Sequence, residues 1–360
     1  MESRVVVGMS GGVDSAVAAA LLKADGHEVL GVTLMLTDDK DPQEKRWQDR
    51  SCCKVGLARY VAQKLSIPHE VINLKEAFRR EVIEDFCNVY LQGGTPNPCV
   101  RCNERIKFGQ LLDIARGLGA ATLATGHYAQ IRQDAETGRF RLFQGEDTSK
   151  DQSYFLYRLN QFQLSQISFP LGSTRKEEVY SQALKLGLPY EEVLESQEIC
   201  FVNQGDYREV LTTLRPEAVC RGPMLDSKGR RVGTHEGIAF YTIGQRRGLG
   251  VSAPTRLYVT EIRPQDNVVV VGEEHDLMQC EVRIGDLNWI RWQQPPFPLK
   301  VQVKLRYRTP PASASIEPID DHRLKVRLDV PVKRGTPGQS AVFYLGNEVI
   351  GGGLILSEGD

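Results

Sequence analysis

Two groups of residues in this chain have types and spacings that could do chemistry. The first is Ser10-Gly11-Gly12-Val13-Asp14-Ser15. Paired glycines let the backbone turn sharply, so that successive N–H groups point into one cavity. A helix starting directly behind them adds the positive end of its dipole. Ser10 and Ser15 offer hydroxyl donors, and Asp14 could carry a Mg²⁺ or orient the loop. Such a loop fits a pyrophosphate. It is neither GxxxxGK[ST], since no Lys follows the glycines, nor GxGxxG.

The second group is made of cysteines. Cys99 and Cys102 stand in Asn97-Pro98-Cys99-Val100-Arg101-Cys102-Asn103, on a Pro-kinked loop entering a helix. A thiol at a helix N-terminus has a lowered pKa, and Arg101 and Arg105 would favour the thiolate further. Cys200, in Glu198-Ile199-Cys200-Phe201, is a third candidate nucleophile. A single CxxC falls short of the four ligands of a structural zinc site. A redox CxxC is an alternative, and each cysteine alone is also the kind of residue that packs as a small hydrophobe. Cys52-Cys53 reads as structural or locally reactive, with no role assigned.

The elements that must position these groups follow from periodicity. Arg4–Met9 is a continuous apolar run and reads as a buried strand ending at the Gly-rich turn. Asp14–Asp25 reads as a helix closed by Gly26. Strands follow at Glu28–Leu36, His69–Leu74 and Ala121–Thr125. Helices are expected at Cys52–Leu65, Ala77–Tyr90 and Asn103–Leu118. This alternation implies an α/β fold with a doubly wound parallel sheet, whose ligands bind beyond the carboxyl ends of the strands. Ser10-Gly11-Gly12 and Gly126-His127 both sit at such ends. From Val259 onward strand follows strand (Val268–Val271, Val282–Leu287, Leu299–Arg306, Ser313–Ile316, Leu324–Leu328, Ser340–Leu345, Val349–Leu356), predicting a C-terminal antiparallel β-barrel. The expected domains are residues 1–207, a small central linking domain at 208–275, and the barrel at 276–360.

Composition places limits on partners. The 360 residues are 41% hydrophobic and 25% charged, as in a soluble globular protein. No apolar run approaches the roughly 20 residues of a membrane span, and the N-terminus lacks a signal-peptide pattern. The expected compartment is the cytoplasm, where eight cysteines are not a disulfide framework. With a net charge of -1, any nucleic acid must be held by a local patch. Lys300–Arg334 carries nine Lys/Arg against four Asp/Glu, and Arg246-Arg247 is a second candidate.

SGGVDS after a first strand resembles the PP-loop of the N-type ATP pyrophosphatases, which adenylate an oxygen and release pyrophosphate. That resemblance implies ATP contacts from Gly8, Met9, Ser10, Gly11, Gly12, Val13, Asp14 and Ser15, with Met35 and Gly126 lining the nucleotide. NPxxxCN, Gly126-His-Tyr-Ala129, Lys150-Asp-Gln-Ser-Tyr-Phe-Leu156, the Ile-Cys-Phe around Cys200 and the run Gly233–Gly250 then follow in one order. The series covers nearly the whole chain and is similar to that of the tRNA-specific 2-thiouridylases, the MnmA family.

The resemblance implies a tRNA uridine 2-sulfurtransferase that uses ATP with Mg²⁺. Cys102 would be the nucleophile and Cys200 the persulfide carrier, the two ending as a disulfide. A cysteine desulfurase or a sulfur-relay protein would supply the sulfur. The tRNA, through its wobble uridine, would meet Asn97, Pro98, Cys99, His127, Lys150, Asp151, Gln152, Arg306, Tyr307 and Gln339. Tyr128, Tyr154 and Phe155 are of a type that stacks on bases. Members of the family carry Asp where this chain has Cys99. That difference opens an alternative, in which Cys99, Cys102 and Cys200 hold an iron–sulfur cluster. Two further readings stand beside it: a PP-loop ligase that adenylates another acceptor, and a nucleotide- or metal-binding redox module without catalysis.

Overall fold

β1 (Arg4–Gly8) places three valines, Val5 to Val7, in full burial, because it is a central strand covered on both faces. It pairs in parallel with β2 (Glu28–Met35) on one side and with β4 (Thr122–Ala124) on the other. β3 (His69–Asn73) extends the sheet beyond β2, and β7 (Ile167–Ser168) extends it beyond β4, giving the order β3-β2-β1-β4-β7. Between β4 and β7 in sequence comes an antiparallel hairpin, β5 (Ala129–Gln133) with β6 (Phe140–Gln144), which belongs to a different sheet. The protein was analysed as a computed structural model that describes residues 3–37, 54–188, 199–202 and 206–357. Cys52 and Cys53, to which no role could be assigned, lie outside the described residues.

Helix α1 (Val13–Ala24) begins where the Gly-rich turn ends and buries Val13, Ala16, Val17, Ala18 and Ala19. Small side chains let it lie close on the sheet. Helix α2 (Val55–Lys64) buries Leu57, Ala58, Val61 and Ala62 against the same core. The next two helical runs differ from a regular α-helix. The run 75–91 contains a π-helical turn at Arg79–Ile83. The run 98–117 starts five residues before the expected Asn103. It consists of an α turn Pro98–Arg101, a nine-residue π-helical stretch Cys102–Gln110 and an α turn Leu111–Gly117.

The chain divides into two compact units, one of residues 1–82, 99–205 and 347–350, the other of 83–98, 206–346 and 351–360. The second unit contains a four-stranded sheet, β8 (Gly222–Asp226), β9 (Arg231–His235), β10 (Tyr258–Arg263) and β11 (Val268–Gly272), in the order β10-β11-β8-β9. The expected antiparallel barrel is present. Its strands are β12 (Met278–Trp289), β13 (Leu299–Lys304), β14 (Ala312–Pro318), β15 (Leu324–Lys333), β16 (Ser340–Leu345) and β17 (Glu348–Ile355), and β12 pairs with both β15 and β17 to close it. No described helix is long and apolar enough to cross a membrane.

Candidate active site

The turn after β1 is stitched from within. The Ser10 amide donates to Ser15 Oγ at 3.3 Å, the Gly12 amide donates to Ser10 Oγ at 3.3 Å, and Ser15 Oγ donates to the Gly12 carbonyl at 3.0 Å. The two hydroxyls thus shape the loop itself. The Lys54 amide holds the Ser10 carbonyl at 2.9 Å. Gly11 has φ of +79°, and a Cβ there would stand 2.7 Å from the Lys54 carbonyl oxygen, so glycine is required twice over. Met9 is pinned from behind, its amide on the Val32 carbonyl at 2.7 Å and its carbonyl on Thr33 Oγ1 at 2.7 Å. Gly12 precedes α1 without a side-chain cap, and the first-turn amides of Val13, Asp14 and Ser15 have no carbonyl one turn back. They form a ready anion site.

Asp14 orients the loop. Lys176 Nζ lies 2.7 and 2.9 Å from its two carboxylate oxygens, and Tyr128 Oη donates to it at 2.8 Å. Lys176 is buried, with its ammonium also over the rings of Tyr128 and Tyr180 at 5.7 and 4.9 Å. Gly126, at the end of β4, presses on the same turn: a Cβ on it would lie 2.7 Å from the Asp14 carbonyl carbon and the Ser15 nitrogen. Met35 closes the last residue of β2, opposite Asn73.

His127 follows Gly126. Its Nδ1 is 2.7 Å from Thr125 Oγ1, and its ring packs between Phe108 and Phe169 at 5.6 and 5.7 Å. Desolvation by these neighbours, and then the charge of Lys107, hold its pKa well below the usual 6.5. Phe108 stands on the π-helical stretch that Cys102 begins, so the imidazole and the cysteine helix are packed side by side.

Cys102 is buried, Cys99 exposed and Cys200 half-buried. Arg101 is 3.1 Å, Arg105 3.8 Å and Arg158 2.9 Å from Glu104, so Glu104 offsets part of the positive charge expected to favour thiolate. Gln163 reaches two carbonyls of the π-helical stretch, its Nε2 donating to Phe108 O at 2.8 Å and to Glu104 O at 3.3 Å. Asn103 Nδ2 donates to the Phe155 carbonyl at 3.1 Å. Cys200 lies on the turn Ile199–Val202, where Phe201 meets Phe78 at 5.7 Å; the turn Lys75–Phe78 in its turn packs on the cysteine helix. Among the described residues no three His, Cys, Asp or Glu side chains are grouped to hold a metal ion. The arrangement of Cys99, Cys102 and Cys200 therefore does not fit an iron–sulfur cluster.

The segment Lys150-Asp151-Gln152 is built onto the same loop. Asp151 is buried and accepts from the Gly145 and Ser153 amides at 3.1 Å each, from Ser153 Oγ at 3.0 Å and from Gln144 Nε2 at 3.2 Å. Gln152 Oε1 accepts from the Tyr128 amide at 3.1 Å, and the Gln152 amide donates to the Tyr128 carbonyl at 2.9 Å. Tyr128 and Tyr154 are buried at 2% and 0% exposure, which corrects the expectation that they stack on a base: they are core residues.

In the second unit the remaining RNA candidates cluster. Gln339 Nε2 donates to the Thr95 and Pro96 carbonyls at 3.0 and 2.9 Å, fixing the loop that carries Asn97 and Pro98. The Arg306 guanidinium reaches the Arg334 carbonyl at 3.0 Å and Thr336 Oγ1 at 3.4 Å, while the Gln339 amide donates to the Thr336 carbonyl. Tyr307 follows, half-buried. Four of the nine Lys/Arg of the basic window Lys300–Arg334 meet carboxylates: Lys325 and Arg327 meet Glu281, Arg323 meets Asp320, and Lys333 meets Glu274.

Models of three domains match the chain in order. The tRNA methyl transferase HUP domain covers residues 3–204, the tRNA methyl transferase PRC-barrel domain 208–273, and the aminomethyltransferase beta-barrel domain 279–355. The tRNA-specific 2-thiouridylase MnmA of Moorella thermoacetica is 46% identical over 98% of this chain and 99% of its own. That of Clostridium botulinum strain Alaska E43 is 42% identical over 98% of each. The chain belongs to the MnmA family. MnmA of Heliobacterium modesticaldum, 45% identical over 99% of this chain and 93% of its own, agrees in extent.

Sequence reasoning did not find Lys176 or Gln163. Lys176 opens the helix Lys176–Lys185 ahead of Glu177 and Glu178. A lysine at a helix N-terminus opposes the dipole, and that misfit was the readable sign of a carboxylate partner. Gln163 gave no sign, because its partners are carbonyls of a distant π-helical stretch.

Proposed function

We propose that the chain is a tRNA uridine 2-sulfurtransferase, acting in the cytoplasm, with domains at 1–207, 208–275 and 276–360. The observation that carries this is the full-length likeness to tRNA-specific 2-thiouridylases, which runs through the phosphate loop and both cysteine segments. The C2 oxygen of a uridine is a poor leaving group. Its attack on the α-phosphorus of ATP, with pyrophosphate departing, converts it to an adenylate. The loop from Gly8 to Ser15 receives the departing pyrophosphate, chiefly on the first-turn amides of Val13, Asp14 and Ser15. Mg²⁺ would enter as part of the ATP substrate, since the Asp14 carboxylate is engaged by Lys176 and Tyr128. Met35 and Gly126 flank the nucleotide.

Cys200 carries the sulfur as a persulfide, received from a cysteine desulfurase or a relay protein. Attack by Cys102 on the inner sulfur of that persulfide forms a Cys102–Cys200 disulfide and releases the outer sulfur as sulfide, which adds to C2. AMP leaves, and an external thiol reduces the disulfide. Asn97, Pro98, Cys99, His127, Lys150, Gln152, Arg306, Tyr307 and Gln339 receive the tRNA. Asp151 acts on Lys150 and Gln152 from beneath, through the loop it holds. Neutral His127 donates or accepts a hydrogen bond there without adding charge.

Mass spectrometry of tRNA incubated with the protein, ATP-Mg²⁺ and a sulfide source tests the reading. The expected outcome is one sulfur-for-oxygen exchange at a uridine. With persulfide-loaded protein, Cys102→Ser and Cys200→Ser each abolish the exchange and retain ATP binding. Tight ATP binding with no tRNA-dependent release of AMP and pyrophosphate would sink it.

A further inference from the structure

The phosphate loop contains no cation of its own, and an aspartate sits in its first helical turn. Left alone, the Asp14 carboxylate would repel a triphosphate and would be free to rotate into the anion site. Two side chains prevent this. Lys176 bridges both carboxylate oxygens at 2.7 and 2.9 Å, and Tyr128 Oη donates at 2.8 Å. The lysine is held just as firmly at its other end. Its main-chain amide donates to Asp147 Oδ2 at 3.0 Å, and Asp147 Oδ1 takes the Ser149 amide at 3.1 Å and Ser149 Oγ at 2.6 Å. Its side chain is only 6% exposed. A buried ammonium with this set of partners is expensive to keep, and removal of either charge leaves the other stranded.

We propose that Lys176 is a positioning residue for the adenylation step, acting through Asp14. It cancels the carboxylate charge at the mouth of the loop and fixes the first turn of α1, so that the turn's amides face the pyrophosphate. The lysine that a Walker loop carries in sequence is here brought from a helix far along the chain, and it grips the loop from behind. The proposal rests on the reading that ATP is the adenylating reagent.

The test compares wild type, Lys176→Met, Lys176→Arg, Asp14→Asn and the double variant K176M/D14N. ATP binding is measured by equilibrium dialysis, pyrophosphate release with tRNA by a coupled assay, and folding by thermal melts. K176M is expected to lower kcat/KM for ATP about a hundredfold, while tRNA affinity stays within about twofold. K176R, which keeps the charge, should recover to within about tenfold of wild type. Because the pair acts as one unit, the double variant should be no worse than the poorer single variant.

A K176M protein within about threefold of wild type overturns the proposal, as does a double variant in which the two losses multiply. If K176M fails to fold, the same cycle is run with Tyr128→Phe and Asp14→Asn, and multiplying losses again count against it. Should wild type release no pyrophosphate with ATP and tRNA, the functional reading fails. Dialysis then decides on Lys176 alone, with ATP affinity unchanged in K176M overturning it.

Discussion

Gly126 has no side chain because there is no room for one. A methyl group there would stand 2.7 Å from two backbone atoms of the phosphate loop, and backbone cannot swing aside as a long side chain can. Gly126→Ala must push the first turn of α1 away, and a displacement costing about 1–3 kcal/mol should weaken ATP binding roughly tenfold to a hundredfold. Gly117→Ala is the control, since nothing lies within 4 Å of its added methyl. Calorimetric ATP titration of the two variants checks this; equal affinities would refute it. At this scale the sequence was informative where a residue's role is local. Ser10 to Ser15 declare a phosphate loop by their own spacing. Lys176 shows only that it wants a carboxylate, not which one, since its partner lies 162 residues away.

The cysteine helix shows what periodicity can and cannot tell. A 3.6-residue pattern placed a helix at Asn103–Leu118, and a helix is there, but its first half is π-helical and it begins at Pro98. A π-helical stretch widens the turn and turns side chains to new azimuths, so the direction of Cys102 was not readable from spacing. What permits that stretch is Gln163, tied down by a capping box with Asn160 and aimed at two carbonyls. Gln163→Met keeps the volume and removes both donors. Leaving buried carbonyls unmet should cost about 1–3 kcal/mol in urea unfolding. It should also change the alkylation rate of Cys102 while that of exposed Cys99 stays as it was. Unchanged labelling of Cys102 would show that the π-helical stretch holds without Gln163. The hairpin β5–β6 escaped prediction for a related reason. Its strands are half Arg and Gln and half apolar, and its anchorage is the pairing of β6 with β17 and the Arg141 ion pair with Glu348.

At the scale of the molecule, the α/β sheet and the barrel were legible because burial repeats along their strands. The central parallel strand β1 is a continuous apolar run, and the barrel strands β13, β14 and the first half of β15 alternate, as Leu324 to Leu328 do. The histidines were not legible in this way, yet they set how the whole protein answers acid. His69, His127 and His235 all have pKa values below 6.5, chiefly through desolvation. In the unfolded chain they would bind protons near pH 6.5, while the native protein refuses them. Stability is therefore full above about pH 7 and falls as pH drops through 6.5. The carboxylates act in a lower window. Asp134, held near 2 by its Thr137 and Arg141 hydrogen bonds, contributes stability above its unfolded pKa and loses it only as pH falls toward 2. Urea unfolding should thus weaken in two steps, one below pH 6.5 and one below about pH 4. His127→Gln should remove up to about 2 kcal/mol of the loss between pH 7.5 and 5. A profile flat from pH 7.5 to 5 in the wild type would mean that these imidazoles take up protons in the folded state.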